Sequence, residues 1–247
     1  MNPVPGIELL LVWLIVFAGA IVQSAVGFGL AVVVAPLLYL IDPAWVPGPI
    51  IMMGLLISLF TLRRIGIRLE MGILTPALIG RIPGGILGTW LLVVASTQWL
   101  GLGIGIIVLS AVFLTLAKWR VPLTNANLFG AGFVSGIFAA IAAIGGPPLA
   151  LLLNNNQSAA QMRHTLSGFF VFSAALSLVL LAIAGKFGTS ELVRGGLLIP
   201  PALLGFWLGD KIVQRVEPEQ LKHATLLLCG LAGSLLMLQS SHQLVTF

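Results

Sequence analysis

Charged residues are scarce in this sequence. They make up 8% of its 247 residues, against about 25% in a typical soluble domain, while 59% of the residues are hydrophobic. This composition excludes a soluble globular protein, a disordered chain, a collagen and a coiled coil. The 12 Lys and Arg residues outnumber the 7 Asp and Glu residues. In so apolar a chain the surplus indicates cytoplasmic loops of a membrane protein rather than a nucleic-acid partner.

Recognisable catalytic and cofactor motifs are also missing. The chain has no P-loop, no His-Glu-x-x-His and no Cys-x-x-Cys, and its one cysteine, Cys229, cannot form an intrachain disulfide. The three histidines lie apart, at or near the ends of apolar stretches. No basic residue precedes Arg63, so the first apolar stretch lacks the basic region of a signal peptide and we expect it in the mature protein. We predict neither a cofactor nor a metal site.

Long apolar stretches fill most of the chain and predict an all-α polytopic membrane protein, because one spanning helix needs about 20 apolar residues. They cover residues 7–22, 27–41, 46–62, 71–95, 99–117, 127–143, 147–153, 165–185, 191–209 and 221–238. Several are too short to span, and we predict that the stretches on either side of residues 27–29 and 145–148 form two broken or re-entrant helices. We expect further breaks at Pro83 and Pro200-Pro201.

The two halves of the chain repeat a pattern of glycines. Three features recur in the same order at separations of 114 to 121 residues. They are Gly27 with Gly145, Gly54 with Gly168, and Gly84-x-x-x-Gly88 with Gly205-x-x-x-Gly209. Glycine is common here, with 29 residues, so a single match carries little weight, but the shared order favours a duplication. We predict two membrane repeats, residues 1–120 and 121–247, within one integral membrane domain.

The basic residues predict an orientation. If both broken segments return to the side from which they enter, nine basic residues lie on one side of the membrane and two, Lys186 and Arg194, on the other. The nine are Arg63, Arg64, Arg68, Lys118, Arg120, Arg163, Lys211, Arg215 and Lys222. Eight full spans would give at best seven against four. The positive-inside rule therefore favours cytoplasmic loops for the nine, periplasmic termini and two inverted repeats, an arrangement found in many secondary transporters.

The first break contains the candidate binding residues Gln23, Ser24, Gly27, Phe28 and Gly29. Two hydrogen-bonding side chains and two glycines interrupt an otherwise apolar run. Glycine lets backbone N–H groups approach a ligand, and the helix that follows presents the positive end of its dipole. The alternative is a polar kink in which Gln23 and Ser24 bond neighbouring backbone.

The second break contains Gly145, Gly146, Pro147 and Pro148, also candidate binding residues. Proline fits the first turn of a helix, so the pair predicts the start of a second half-helix. We expect Gly145, like Gly27, to need its missing side chain for a positive φ or for close approach to a ligand. Two facing breaks would aim two helix N-termini at one anion near the midplane. The alternative is a pair of kinks that only closes the bundle.

Two arginines complete the candidate site. Arg81 lies well inside the stretch 71–95, where an unpaired guanidinium costs about 3 kcal/mol on insertion scales. It could bind a carboxylate or sulfonate with two parallel hydrogen bonds, or it could reach an interface by snorkelling. Arg163 follows the second break and could line a cytoplasmic vestibule, or it could serve only to set topology.

Three short motifs carry a family resemblance. They are Gln23-Ser24-x-x-Gly27-Phe28-Gly29 with Pro36-Leu37-Leu38, the looser copy Gly145-Gly146-Pro147-Pro148-Leu149, and Arg163-x-Thr165-Leu166. In this order, and in a chain with two similar halves, they resemble the sulfite exporter TauE/SafE family of bacterial membrane permeases. The likeness covers nearly the whole chain. It implies transport of small, often sulfur-containing anions, such as sulfite or organosulfonates, across the inner membrane.

One residue departs from that resemblance. Phe28 stands where many relatives have the middle glycine of a three-glycine run, and it would bring a bulky apolar face to the site. This favours an organic anion with an apolar portion over inorganic sulfite.

We therefore predict a multi-pass secondary transporter that works by alternating access around facing broken helices. Its partners are a small anionic substrate and the lipid bilayer, with no nucleic acid, and a coupling ion, H⁺ or Na⁺, and a homo-oligomer stay open. The competing classes are an integral membrane enzyme, for which Ser24 and His164 are the best residues available, and a membrane scaffold without transport.

Overall fold

The computed structural model describes residues 6–26, 30–66, 70–117, 119, 121–154, 156–213 and 218–245. In these ranges the chain forms ten α-helices and one 3₁₀ helix, Pro43–Trp45. The α-helices are α1 Gly6–Val26, α2 Leu30–Ile41, α3 Gly48–Ile65, α4 Met71–Val94, α5 Thr97–Leu116, α6 Asn125–Ala142, α7 Pro147–Asn154, α8 Ala159–Ile183, α9 Thr189–Val213 and α10 Pro218–Val245. The predicted all-α class is confirmed.

Eight helical stretches within the described residues are long and apolar enough to cross a membrane. Large apolar side chains stay exposed along their length, among them Trp90, Trp207 and Leu231. In water such a surface would be unfavourable, but lipid is its natural solvent. The protein is therefore a multi-pass integral membrane protein.

The expected breaks at Pro83 and at Pro200-Pro201 are wrong. Helix α4 continues through Pro76 and Pro83, and α9 continues through the proline pair. Membrane helices tolerate interior proline because neighbouring helices and small local adjustments satisfy the freed backbone groups. The breaks are confined to the two glycine-containing segments, between α1 and α2 and between α6 and α7.

Glycines let two pairs of helices pack backbone to backbone. In the pair α4 and α6, a Cβ added at Gly84 would overlap the carbonyl of Phe133, and one at Gly132 would overlap the carbonyl of Ala77. In the pair α1 and α9, a Cβ at Gly205 would overlap the carbonyl of Phe17. Small residues spaced four apart allow this close approach in lipid, where packing rather than the hydrophobic effect holds helices together.

The packing of helices relates the two halves of the chain. Helix α1 packs against α9, and α6 packs against α4. In each case the first helix of one half contacts the fourth helix of the other. The third helices, α3 and α8, contact each other, as do the fifth helices, α5 and α10.

The first broken segment starts and ends at the same end of the bundle. Helix α1 runs parallel to α9, because Phe17 lies against Gly205 and Ile21 against Gly209. Helix α2 then folds back along α1, with Val34 against Gly19, and ends at Ile41. The next residue, Asp42, is paired with Arg194 in the second turn of α9. We call this end of the bundle the Asp42 face.

The second broken segment starts and ends at the opposite end. The Nδ2 atom of Asn156, just after α7, donates to the carbonyl of Val121, just before α6, over 3.3 Å. The neighbouring Gln157 donates to Glu70, which precedes α4, over 2.8 Å. Helix α4 leads from there to Thr97, whose carbonyl accepts a hydrogen bond from Tyr39 near the Asp42 face. We call the end around Glu70 the Glu70 face.

Candidate functional site

A cavity lies where the two broken segments meet. Its volume is about 70 Å³, which is room for several waters or one small anion. The lining residues come from α1 to α4, from α6 to α8 and from the second break. They are Gln23, Leu30, Ala31, Val32, Ile50, Ile51, Gly54, Ser58, Arg81, Ala139, Ala143, Ile144, Gly145, Gly146, Pro147, Phe170, Ser173, Ala174 and Ser177.

Arg81 is the charged residue of the lining. Its side chain is fully buried, with 0% relative exposure, so it does not snorkel to an interface. The Nε atom donates to Ser173 Oγ over 2.6 Å, and Nη2 donates to Ser177 Oγ over 2.5 Å and to the Ser173 carbonyl over 3.4 Å. The two serines lie one turn apart on α8 and fix the plane of the guanidinium across the α4–α8 contact.

The third nitrogen of this guanidinium, Nη1, differs from the other two. Nη1 is buried and has no hydrogen-bond partner within the described part of the chain. A buried cation without a counter-ion and with unused N–H groups is unfavourable unless something else pairs with it. Gly85 lies close to Nη1, because a Cβ there would come within 3.0 Å of this atom. The arrangement favours an anion beside Nη1.

The first break meets the cavity through Gln23 and Leu30. Gln23 Oε1 accepts a hydrogen bond of 3.3 Å from the backbone N–H of Leu30, the first residue of α2. The side chain therefore caps a helix whose positive dipole end begins at the cavity wall. Gly27, Phe28 and Gly29, the other candidates from this break, lie outside the described residues.

The second break shapes the cavity through Gly145, Gly146 and Pro147. Ser135 Oγ donates to the carbonyl of Gly145 over 2.5 Å, which ties the break to α6. The positive φ that we expected at Gly145 is found instead at Ala143, with φ 60°. Gly145 needs its missing side chain for packing, because a Cβ there would lie 3.1 Å from Ser135 Oγ and 3.3 Å from Ala139 Cβ.

Helix α7 contributes few donors at its start. Pro147 and Pro148 occupy its first two positions, and proline has no backbone N–H. The two breaks are therefore unequal in chemistry, since α2 begins with N–H groups and α7 does not. Arg81 adds a full positive charge to the same lining.

Three predicted residues lie outside this cavity lining. Ser24 is buried against Gly209 of α9, and its hydroxyl donates to the carbonyl of Ile21 over 3.1 Å. Pro148 is buried but does not line the cavity. Arg163 lies near the start of α8, ten residues before Ser173 and thus about 15 Å along the helix from it.

Sequence reasoning missed the three serines of the lining, Ser58, Ser173 and Ser177, all of them buried. Ser173 and Ser177 carry a usable signal, because two hydroxyls four residues apart share one face of an otherwise apolar helix. Nothing in that spacing, however, points to Arg81, which lies 92 residues away from Ser173 in the sequence.

The described lining of this cavity offers groups for non-covalent binding. The side chains of its described lining are a guanidinium, three hydroxyls, one amide and apolar groups. A serine nucleophile needs a base within reach, and the lining offers no histidine or carboxylate among its described residues. No group of three metal-binding side chains occurs in the part of the chain that the structure describes. The arrangement can hold a small anion by charge and hydrogen bonds.

Arg194 and Asp42 form an ion pair at the Asp42 face. Arg194 Nη1 lies 2.6 Å from Asp42 Oδ2, and its guanidinium carbon lies 5.2 Å from the centre of the Trp45 ring. Partial burial raises the pKa of the Asp42 carboxyl, but the hydrogen bond and charge of Arg194 and the N–H of Ala44 lower this pKa, which ends below its ordinary value. The pair joins the loop after α2 to α9 and so links the two halves of the chain.

Comparisons with curated proteins and with solved structures gave no significant match. Comparison with known protein families gave one that covers most of the chain. Residues 11–236 match the family described as sulfite exporter TauE/SafE. That range includes every residue of the cavity lining, from Gln23 to Ser177. The chain belongs to the sulfite exporter TauE/SafE family.

Proposed function

We propose that this protein is a secondary transporter that moves a small anion across the bacterial inner membrane by alternating access. The observation that carries the proposal is the buried Arg81 in a cavity between two broken helices, with its Nη1 unpaired among the described residues. Membership of a family of sulfur-anion permeases supports the same function. Gln23, Arg81 and the backbone of Gly145 and Gly146 are the proposed substrate contacts.

The dimensions and lining of the cavity favour a small oxyanion with an apolar portion. A volume of about 70 Å³ suits a small anion such as sulfite or methanesulfonate. The hydroxyls of Ser173 and Ser177 lie beside Arg81 in the lining, which also contains Ser58 and apolar residues such as Ile50 and Phe170. A sulfonate or sulfite group would bond to the guanidinium, and a short apolar group would contact the aliphatic side chains.

The packing of the two halves supports alternating access. The reciprocal contacts α1–α9 and α6–α4, and the entry of the two broken segments from opposite faces, are what two inverted repeats would give. Rocking of one half against the other would then expose the cavity first at one face and next at the other. Helices that pack closely at glycines, as at Gly84 and Gly205, provide contacts about which such rocking can occur.

The charges favour one orientation. Arg63, Arg64, Arg163 and Lys211 belong to helix ends at the Glu70 face, whereas Lys186 and Arg194 belong to the Asp42 face. By the positive-inside rule the Glu70 face is cytoplasmic and the Asp42 face is periplasmic.

Transport needs no covalent step, so we do not propose an enzyme. Reconstitution into liposomes tests the function, with sulfite and methanesulfonate as probes and empty liposomes as the control. Protein-dependent uptake that saturates with concentration is the expected result. A protein that binds these anions but never moves them into the vesicle lumen would contradict the proposal.

A further inference from the structure

We infer that the cavity accepts an anion with a single negative charge, and that each transport cycle carries this one charge across the membrane without a proton held by the protein. The inference deepens the proposed function and depends on it. Its basis is the distribution of charged side chains around the cavity.

The positive charge is single. Arg81 is the one Lys or Arg among the described residues that line the cavity. Its position in the second half, 121 residues later by the spacing of the paired glycines, is taken by Ala202, which is buried and apolar. The halves share their fold, but only the first contributes a cation.

No acidic residue is among the described residues that line the cavity. The chain has seven acidic residues, Glu8, Asp42, Glu70, Glu191, Asp210, Glu217 and Glu219. Glu217 lies outside the described residues, and the other six lie in connecting segments or within the first or last turns of helices. The side chains that share the cavity wall with Arg81 are uncharged, among them Gln23, Ser58, Ser173 and Ser177. The protein therefore brings a net charge of +1 to the site.

This charge selects the ligand. A monoanion beside Nη1 neutralises the site, which can then be enclosed between lipid-embedded helices. A dianion leaves one uncompensated negative charge in a region of low dielectric constant, where it is strongly disfavoured. We expect the protein to distinguish anions of equal size by charge.

The distribution of charged side chains around the cavity also determines how much charge crosses the membrane in each transport cycle. Serine and glutamine side chains do not titrate near neutral pH, so none of the uncharged polar groups named above can exchange a proton during the cycle. A monoanion that moves alone carries one elementary charge through the membrane potential. At equilibrium, 100 mV then changes its accumulation ratio by about 50-fold.

Two probes of the same size test charge selection. Methanesulfonate is a monoanion and sulfate a dianion, and both are tetrahedral with five non-hydrogen atoms. In proteoliposomes at equal pH on both sides, we expect labelled methanesulfonate to enter at least tenfold faster than labelled sulfate. Equal or faster entry of sulfate would overturn the single-charge assignment while leaving anion transport intact.

A potassium gradient with valinomycin tests the charge moved, in sodium-free medium at fixed pH. We expect methanesulfonate accumulation to change about 50-fold per 100 mV, with a positive interior favouring uptake. Accumulation that follows an imposed pH gradient and ignores voltage would overturn the inference. Entry of neither probe above the rate in empty liposomes would contradict both the proposed function and the inference.

The variant Arg81→Lys separates charge from geometry. It keeps the single positive charge and loses the planar fork, so we expect weaker uptake of methanesulfonate with the same preference over sulfate and the same voltage dependence. Loss of that preference in a folded Arg81→Lys protein would show that hydrogen-bond geometry, and not charge, discriminates between the anions, and would overturn the inference.

Discussion

The Nε atom of Arg81 in α4 donates a hydrogen bond of 2.6 Å to Ser173 Oγ in α8. This bond joins a helix of the first half of the chain to one of the second half. The bond from Nη2 to Ser177 holds a second nitrogen, and Nη1 has no hydrogen-bond partner among the described residues. Any movement of α4 against α8 would change the position of the charge.

Replacing either serine should weaken substrate binding, since both orient Arg81. In Ser173→Ala and Ser177→Ala, a buried N–H loses its acceptor, at a cost of about 1–3 kcal/mol. We expect lower thermal stability and a several-fold higher apparent Km for methanesulfonate uptake. Ser110→Ala, in α5 and outside the cavity lining, is the matched control and should behave as wild type. Native-like kinetics in both cavity variants would mean that the serines do not position the guanidinium.

A side chain at Gly145 should disrupt the second break. Gly145→Val would place methyl groups against Ser135 and Ala139, where a Cβ alone is already close, and would disturb the hydrogen bond from Ser135. We expect uptake to be lost while the protein still inserts and purifies. Gly130→Val provides the control, because a Cβ at Gly130 meets nothing within 4 Å. Similar uptake by the two variants would reduce the break to an ordinary kink.

The Asp42–Arg194 pair should make stability sensitive to acid. The pKa of Asp42 is lowered in the folded protein, so its contribution is fully present above the unfolded pKa of about 4. It is lost as the pH falls through the lower, folded pKa. The effect is modest, because the Asp42 side chain remains 35% exposed.

Thermal unfolding in detergent between pH 7 and pH 3 measures this contribution. The wild type should lose more stability on acidification than Asp42→Asn. Arg194→Gln should resemble Asp42→Asn because each variant breaks the same ion pair. Parallel pH curves for all three proteins would assign the acid sensitivity to other groups.

Cysteine labelling should show which side of the membrane each of the two faces occupies. In a Cys229→Ala background, Glu8→Cys near the start of α1 and Ser241→Cys near the end of α10 belong to the Asp42 face. Asn125→Cys at the start of α6 belongs to the Glu70 face. A membrane-impermeant reagent should reach the first two from the periplasm and the third from the cytoplasm. The reverse pattern would contradict the proposed orientation.

Much of the helical framework could be predicted from the sequence. Spans in lipid depend on the length of apolar runs, so the ten stretches correspond to ten helices, and the two glycine-containing breaks separate α1 from α2 and α6 from α7. The breaks expected at Pro83 and Pro200 were wrong, because whether a proline interrupts a membrane helix depends on its neighbours.

The site could be predicted only in part. The burial cost of a charge made Arg81 conspicuous, and the glycine-proline pattern marked the segment that borders the cavity at Gly145. The hydrogen-bond acceptors of Arg81 could not be predicted from the sequence, because Ser173 and Ser177 become its neighbours only when α4 packs against α8. The positive φ of Ala143 could not be predicted either, since alanine rarely adopts this conformation and glycine stood two residues away.

The central claim is that Arg81 binds the transported anion. Concentration-dependent uptake of methanesulfonate by Arg81→Lys, Arg81→Gln and wild type in proteoliposomes tests it directly, with Arg63→Lys and Arg63→Gln as controls at an exposed helix end. We predict that apparent affinity falls at least tenfold in Arg81→Lys, about 1.4 kcal/mol, and further in Arg81→Gln, while both Arg63 variants stay near wild type. Native-like affinity in a folded Arg81→Gln protein would contradict the claim.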